Sequence, residues 1–233
     1  MERRNAGFHF IETGSWSSGW GTGAIDATVF IDGNNLYHNT RSMGFAPGRI
    51  DFESLVRLVC AHFGARPKSV YYYNSVPDIS DGDERYYLHQ KFLSGLRRIE
   101  GFEVMTRKLQ KQSNAGLIAD RVGEARSAGF CAQCLQLMER LCSRCIGPVT
   151  KREKGVDVAI AVDMLNTCVL KDEADMCILI SGDADFIPAL DIVRSRGKEV
   201  ASASVHRGYS YNLRQKHRYF VLGPRELTSV LKR

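Results

Sequence analysis

The sequence predicts an α/β fold in which a parallel β-sheet is covered by helices. Short runs of β-branched and aromatic residues alternate along the chain with longer segments whose apolar residues recur at helical spacing. The strand-like runs are apolar on both faces, as expected for strands buried between two layers of helices. Ligands of such folds bind beyond the carboxyl ends of the strands, so the residues that follow strands are candidates for a functional site.

The elements follow one another with short connections. Five segments have the composition of buried strands, at residues 27–32, 68–76, 102–109, 176–181 and 199–205. Four segments have helical spacing, at residues 51–64, 83–101, 155–170 and 184–197. The helix over 155–170 is almost entirely apolar and is predicted to be buried. The C-terminal part adds a weak helix near Tyr211, an extended segment at 219–223 and a short helix from Pro224.

The length of 233 residues suits one large domain with a small additional module. Residues 1–26 are rich in Gly and Ser and are predicted to form a flexible tail, and residues 27–233 form the domain, with an inserted cysteine-rich module at about 125–150. The chain has no apolar stretch that could span a bilayer, and its start lacks the apolar core of a signal peptide. We therefore expect a cytoplasmic protein without a membrane partner.

Four carboxylates occupy positions at strand ends or helix starts. Asp32 follows the first strand, Asp157 begins the apolar helix, and Asp183 and Asp185 follow the fourth strand. Each one alone is more typical of a helix cap or of a favourable charge in a first helical turn. Brought together at one sheet edge they would repel one another, and a divalent cation is the simplest compensation. Hard oxygen ligands favour Mg²⁺ or Mn²⁺.

The stretches "VFIDGNNLY", "KGVDVAIAVDML" and "LISGDADF" resemble the three motifs of the NYN family of the PIN-like nuclease superfamily, and specifically its LabA-like bacterial type. The resemblance covers residues 27–205 and implies a Rossmann-like, three-layer α/β/α fold. The four acids of the family correspond here to Asp32, Asp157, Asp183 and Asp185. Asn35 corresponds to the helix-start asparagine that supports the site and the bound substrate.

The resemblance implies a metal-dependent ribonuclease in which a carboxylate-held Mg²⁺ or Mn²⁺ activates water for attack on an RNA phosphodiester. Two alternatives remain open at the level of sequence. One is an RNA-binding or scaffold protein that kept the fold without cleavage. The other is a metal-dependent phosphatase on a small substrate, because an Asp-x-Asp motif after a strand also occurs in that class. The oligomeric state and any protein partner remain open.

The charge distribution favours a polyanionic partner. The formal net charge is +6, and residues 194–233 contain ten Lys or Arg but only two acidic residues. We predict that Arg207, Arg214 and Arg218 contact RNA phosphates, with a solvated basic surface as the alternative. Lys154, which precedes the second acid, is predicted to bind the scissile or a flanking phosphate, and a solvated lysine at a helix start is the alternative.

Four of the seven cysteines form two C-x2-C pairs in the stretch "CAQCLQLMERLCSRC". Paired C-x2-C motifs are typical of structural zinc sites, so Cys131, Cys134, Cys142 and Cys145 are predicted to hold one Zn²⁺. The alternative is a set of redox-active or simply buried thiols. The gap of seven residues between the pairs is short, and if it is helical the pairs would have to converge across that helix.

Overall fold

A computed structural model of the chain describes residue 20 and residues 23–76, 83–145, 149–152 and 155–232. Its strands are β1 (Ile25–Asp32), β2 (Ala65–Val76), β3 (Phe102–Lys108), β4 (Gln110–Ser113), β5 (Val149–Arg152), β6 (Met176–Ile180), β7 (Glu199–Val205) and β8 (Arg218–Leu222). Its α-helices are α1 (Gly33–Ser42), α2 (Phe52–Phe63), α3 (Asp83–Leu96), α4 (Asn114–Ser127), α5 (Ala132–Cys145), α6 (Val156–Leu165), α7 (Ile187–Ser195), α8 (Tyr211–Lys216) and α9 (Pro224–Ser229). A π-helical turn, Asn166–Leu170, extends α6.

The main sheet has six parallel strands in the order β3-β2-β1-β6-β7-β8. From the centre outward, β1, β2 and β3 form one half of the sheet, and β6, β7 and β8 then form the other half. The order of the strands therefore switches between β1 and β6. Ile31 pairs with Ile180, so the residues that follow these two strands leave the sheet side by side at the same edge. The predicted α/β fold with a parallel sheet is confirmed.

Two hydrophobic clusters cover the two faces of this sheet, because successive side chains of a strand point to opposite faces. Val29 and Ile31 of β1 pack in one cluster with α1, α2, α3 and α9. Phe30 packs in the other with α6, α7 and α8. The result is three layers, helix, sheet and helix, as the resemblance implied. None of the helices in the described part of the chain combines the length and apolar composition needed to cross a bilayer.

The inserted segment is larger than predicted and has its own architecture. It begins with β4 and ends with β5, which form a separate antiparallel pair, and α4 and α5 lie between them. Its buried apolar residues Ile118 and Ala125 belong to neither hydrophobic cluster of the main sheet. The segment from Gln110 to Arg152 is therefore a module attached to the sheet domain.

The prediction that the apolar helix over 155–170 is buried is wrong for one of its faces. Ile160 and Met164 are fully buried, but Val158 and Val162 are 67% and 56% exposed. A helix that packs on one side of a sheet covers only the stripe that faces it, whatever the residues on its other side. Of the predicted tail, residues 1–19 and 21–22 lie outside the described residues. Trp20 packs against the core.

Candidate active site

Asp32 is the last residue of β1 and caps the N-terminus of α1. Its Oδ1 accepts a hydrogen bond from the Asn35 backbone N–H at 3.0 Å, and its Oδ2 accepts one from the Ser181 hydroxyl at 3.1 Å. Asp32 is only 4% exposed. A buried carboxylate needs such donors because they replace the water that it has lost. The two contacts hold the Asp32 carboxylate at the switch in strand order.

Ser181 connects this acid to the segment that carries two others. Its hydroxyl donates to Asp32 and accepts a hydrogen bond from the Asp183 backbone N–H at 3.2 Å. Asp183 in turn caps the short 3-10 turn Ala184–Phe186, its Oδ1 accepting from the Asp185 N–H at 2.9 Å. Sequence reasoning missed Ser181, whose only signal was its position between an apolar strand and the acids.

Asp157 lies in the first turn of α6. The pKa of its carboxyl lies above the ordinary value, first because surrounding protein partly excludes water and then because the charges of Asp183 and Asp185 are near. Like charges raise a carboxyl pKa only at short range. Asp157, Asp183 and Asp185 therefore share one electrostatic environment, although they come from two separate segments of the sequence.

Asn35 connects helix α1 to the loop that carries Asp183 and Asp185. Its Oδ1 accepts hydrogen bonds from the Gly182 N–H at 3.1 Å and from Asn39 Nδ2 at 2.9 Å. A Cβ atom on Gly182 would lie 1.7 Å from the backbone oxygen of Gly208, so this close approach of two backbones requires glycine. These contacts give Asn35 a positioning role. Its contact with substrate stays a prediction.

A cavity of about 100 Å³ opens beside α6, and its lining includes Tyr73, Arg107 and Asp163. The Tyr73 hydroxyl donates to Asp163 Oδ2 at 2.7 Å, which orients this carboxylate. Burial, followed by the bond to Asp163, raises the pKa of Tyr73, so the phenol stays protonated and acts as a donor. Sequence reasoning did not identify Tyr73 as the partner of Asp163.

No group of three or more His, Cys, Asp or Glu side chains in the described part of the chain is arranged to hold a metal ion by itself. The donor set is nevertheless made of hard carboxylate oxygens, which suit Mg²⁺ or Mn²⁺. Both ions are commonly held by one or two carboxylates together with water and substrate phosphate, without a complete protein cage. The chemistry of the donor set therefore fits such an ion.

Comparison with known proteins identifies the fold family. The model of the NYN domain matches residues 26–222. The chain belongs to the NYN domain family. A protein of unknown function, VPA0982 from Vibrio parahaemolyticus RIMD 2210633, has a similar structure with a TM-score of 0.50 and 20% sequence identity, over 88% of this chain and 95% of that one. No functionally curated protein matches this chain.

The three arginines predicted to bind phosphate occupy different places in this NYN domain. Arg207 is exposed in the turn His206–Gly208 that follows β7, at the edge where the acids lie. Arg214 of α8 donates to the Tyr209 hydroxyl at 3.2 Å. Arg218 begins β8 and donates to Glu199 Oε2 at 2.9 Å and to the Phe63 carbonyl at 3.0 Å.

Because Glu199 is the first residue of the parallel strand β7, Arg218 lies at the edge of the sheet opposite the acids. Its position and its bonds to Glu199 and Phe63 favour a structural role for Arg218, and its contact with RNA stays a prediction. Arg207 and Arg218 are close in sequence, but Arg207 follows the end of β7 and Arg218 begins β8, so they lie at opposite edges of the sheet. Lys154 lies outside the described residues.

The four cysteines of the NYN domain insertion lie along one continuous helix. Cys131 directly precedes α5, Cys134 and Cys142 lie within it, and Cys145 is its last residue. At about 1.5 Å per residue, Cys134 and Cys142 are about 12 Å apart along the axis. A zinc ion needs all of its sulfur ligands at about 2.3 Å. The continuous helix does not bring the three described cysteines into one cluster, and the zinc site stays a prediction.

Proposed function

We propose that this NYN domain is a metal-dependent ribonuclease that hydrolyses RNA phosphodiester bonds at the sheet edge where β1 and β6 end. The observation that carries the proposal is the convergence of carboxylates at the switch in strand order. Asp32 and Asp183 share the Ser181 hydroxyl, and Asp157 is near enough to Asp183 and Asp185 for their charges to raise its pKa. Ligand sites of open parallel sheets lie at this switch.

Asp32, Asp157, Asp183 and Asp185 would hold Mg²⁺ or Mn²⁺. When bound, such an ion lowers the pKa of a coordinated water and stabilises negative charge that develops on the phosphodiester. The residues of the chain supply the rest. Ser181 fixes the orientation of the Asp32 carboxylate, and Asn35 fixes the distance between α1 and the loop that carries Asp183. Held in this way, the acids need little rearrangement when substrate arrives.

The RNA would be held by cations around this edge. Arg207 is exposed in the turn that follows β7 and would neutralise a phosphate that flanks the scissile bond. Arg107 lines the cavity beside α6 and would contact a neighbouring nucleotide. Lys154 precedes the second acid in sequence and is proposed for the same role. The net charge of +6 favours association with a polyanion in general.

The test is incubation of the purified chain with a panel of labelled single-stranded and structured RNAs in Mg²⁺, in Mn²⁺ and in chelator. We expect cleavage only with the metals, with products that carry a 5′-phosphate and a 3′-hydroxyl. Binding of RNA without cleavage under every condition would favour the catalytically silent alternative. Hydrolysis of a small phosphomonoester with the RNA left intact would favour the phosphatase.

A further inference from the structure

The cysteine pair at the start of α5 is exposed, and its two thiols are in contact. Cys131 and Cys134 are both exposed, and each thiol lies within hydrogen-bonding distance of the other. Cys168 and Cys177 also contact each other, but both are fully buried. Within the described part of the chain, the pair in α5 is therefore the one thiol pair that a reagent in solution can reach.

Cys131 is the N-cap residue of α5. It directly precedes the helix, and its carbonyl accepts the first intrahelical hydrogen bond, from the Leu135 N–H at 3.1 Å. Its sulfur accepts hydrogen bonds from the backbone N–H groups of Gln133 and Cys134. These donors belong to the first turn of a helix, where the positive end of the helix dipole lies. Negative charge on the Cys131 sulfur is therefore stabilised, and a thiolate is the form that attacks a disulfide.

Cys134 is the third residue of the same helix, and this position lies next to the N-cap side chain. An N-cap side chain reaches back over the first turn to the second and third residues of its helix. The sulfur atoms of Cys131 and Cys134 are neighbours for this reason. Closing a bond between them requires rotation about side-chain bonds and leaves the hydrogen bonds of α5 in place.

We propose that Cys131 and Cys134 form a reversible disulfide by exchange with a low-molecular-weight disulfide such as glutathione disulfide. The Cys131 thiolate attacks one sulfur of the reagent, whose S–S bond breaks, so that a mixed disulfide forms and one glutathione thiolate leaves. The Cys134 sulfur, after losing its proton to water, attacks the Cys131 sulfur and releases the second glutathione thiolate. The two cysteines are oxidised, one glutathione disulfide is reduced, and the two thiolates take up the two protons.

The wild-type chain provides the first measurement. The reduced chain is incubated with glutathione disulfide, quenched with acid and alkylated with N-ethylmaleimide in denaturant. Trypsin cleaves after Arg126 and Arg140, so peptide 127–140 contains both cysteines of the pair and no other cysteine. Mass spectrometry should find this peptide without alkylation and lighter than its reduced form by two hydrogen atoms. Dithiothreitol should restore two alkylated thiols. Cys168 and Cys177 should stay alkylated throughout, because burial shields them from the reagent.

Single substitutions separate the attacking cysteine from the resolving one. In Cys134→Ser the exchange should stop at the first step, so peptide 127–140 should carry one glutathione. In Cys131→Ser the sulfur held by the helix N–H groups is absent, and Cys134 should stay reduced over the same time. Cys142→Ser, further along the same helix, is the matched control and should form the wild-type disulfide.

Cys131 and Cys134 are also two of the predicted zinc ligands, so elemental analysis of the purified chain accompanies the oxidation. Zinc that stays bound and keeps both thiols reduced in glutathione disulfide overturns the proposal in favour of a metal site. A pair that stays reduced in the metal-free, folded chain overturns it as well, and so does a mixed disulfide that persists on the wild type. Circular dichroism checks that every variant is folded. None of these readouts depends on RNA cleavage.

Discussion

The Ser181 hydroxyl donates a hydrogen bond to the buried Asp32 carboxylate and accepts one from the Asp183 backbone N–H. Ser181→Ala leaves a buried carboxylate oxygen without one of its donors, and such a loss costs about 1–3 kcal/mol. Urea unfolding in chelator measures the change. Ser202→Ala is the matched control, because the buried Ser202 hydroxyl has no hydrogen-bond partner within the described residues, and it should be close to neutral. Equal effects of the two substitutions would contradict this role for Ser181.

Asp183→Asn tests the charge of the site separately from its shape. Asparagine keeps an oxygen that can accept from the Asp185 N–H, so the turn after β6 should survive. One negative charge is lost, and cleavage of labelled RNA in Mg²⁺ or Mn²⁺ should fall by orders of magnitude. Asp175→Asn, an exposed acid just before β6 at the other sheet edge, is the control and should cleave normally. Wild-type cleavage by Asp183→Asn would refute the nuclease proposal for this edge.

Asp157 makes the stability of the metal-free protein depend on pH. Its folded pKa is raised above the ordinary 3.8, so the folded state holds the proton more tightly than the unfolded chain, and ionised Asp157 lowers stability at neutral pH. Asp157→Asn should therefore be more stable than wild type at pH 7 in chelator. The difference should shrink as the pH falls through the folded pKa toward 3.8. Urea unfolding across this range measures it, and a difference that is independent of pH would contradict the shared environment of the acids.

At the scale of elements, the turn His206–Gly208 and the strand β8 separate the arginines that sequence grouped together. Arg207 remains at the edge with the acids, whereas Arg218 lies at the other edge with Glu199. Arg207→Ala should weaken RNA binding and lower the slope of log affinity against log salt by about one unit. Arg218→Ala should leave both unchanged. Titration of fluorescent RNA with each variant at several salt concentrations measures the affinity and its salt dependence. An equal loss of affinity in the two variants would contradict the assignment of RNA binding to Arg207.

The strands and helices also show which structural features could be predicted from the sequence. Apolar runs predicted the inner strands β1, β2 and β6 because burial on both faces demands such residues. The strands β4 and β5, made of residues such as Lys111, Gln112 and Lys151, lack that signal and were missed. The exposed face of α6 was missed because composition does not say which side of an apolar helix meets the sheet. The candidate acids were predicted from three motifs at strand ends and helix starts, and their catalytic role stays a prediction. Their hydrogen-bond partners could not be predicted, because contacts such as Ser181 with Asp32 span 149 residues.

At the scale of the whole molecule, the chain is a sheet domain with a module inserted between β3 and α6. Gln110 pairs with Arg152 at the base of the module, so the chain enters and leaves it at neighbouring points. Among the residues that the structure describes, the two hydrophobic clusters of the sheet domain contain none from the module. Insertions of this kind can be removed without loss of the host core when their ends are close together.

Replacement of residues 110–152 by a short Gly-Ser linker should therefore leave a folded six-stranded domain. A short flexible loop adds little closure entropy, and the described residues of both hydrophobic clusters all remain in the shortened chain. Circular dichroism and a single cooperative unfolding transition measure the fold. Its rate of RNA cleavage then shows whether the module takes part in the reaction. Retained cleavage assigns the chemistry to the sheet edge, whereas a chain that does not fold would show that the module is part of the domain core.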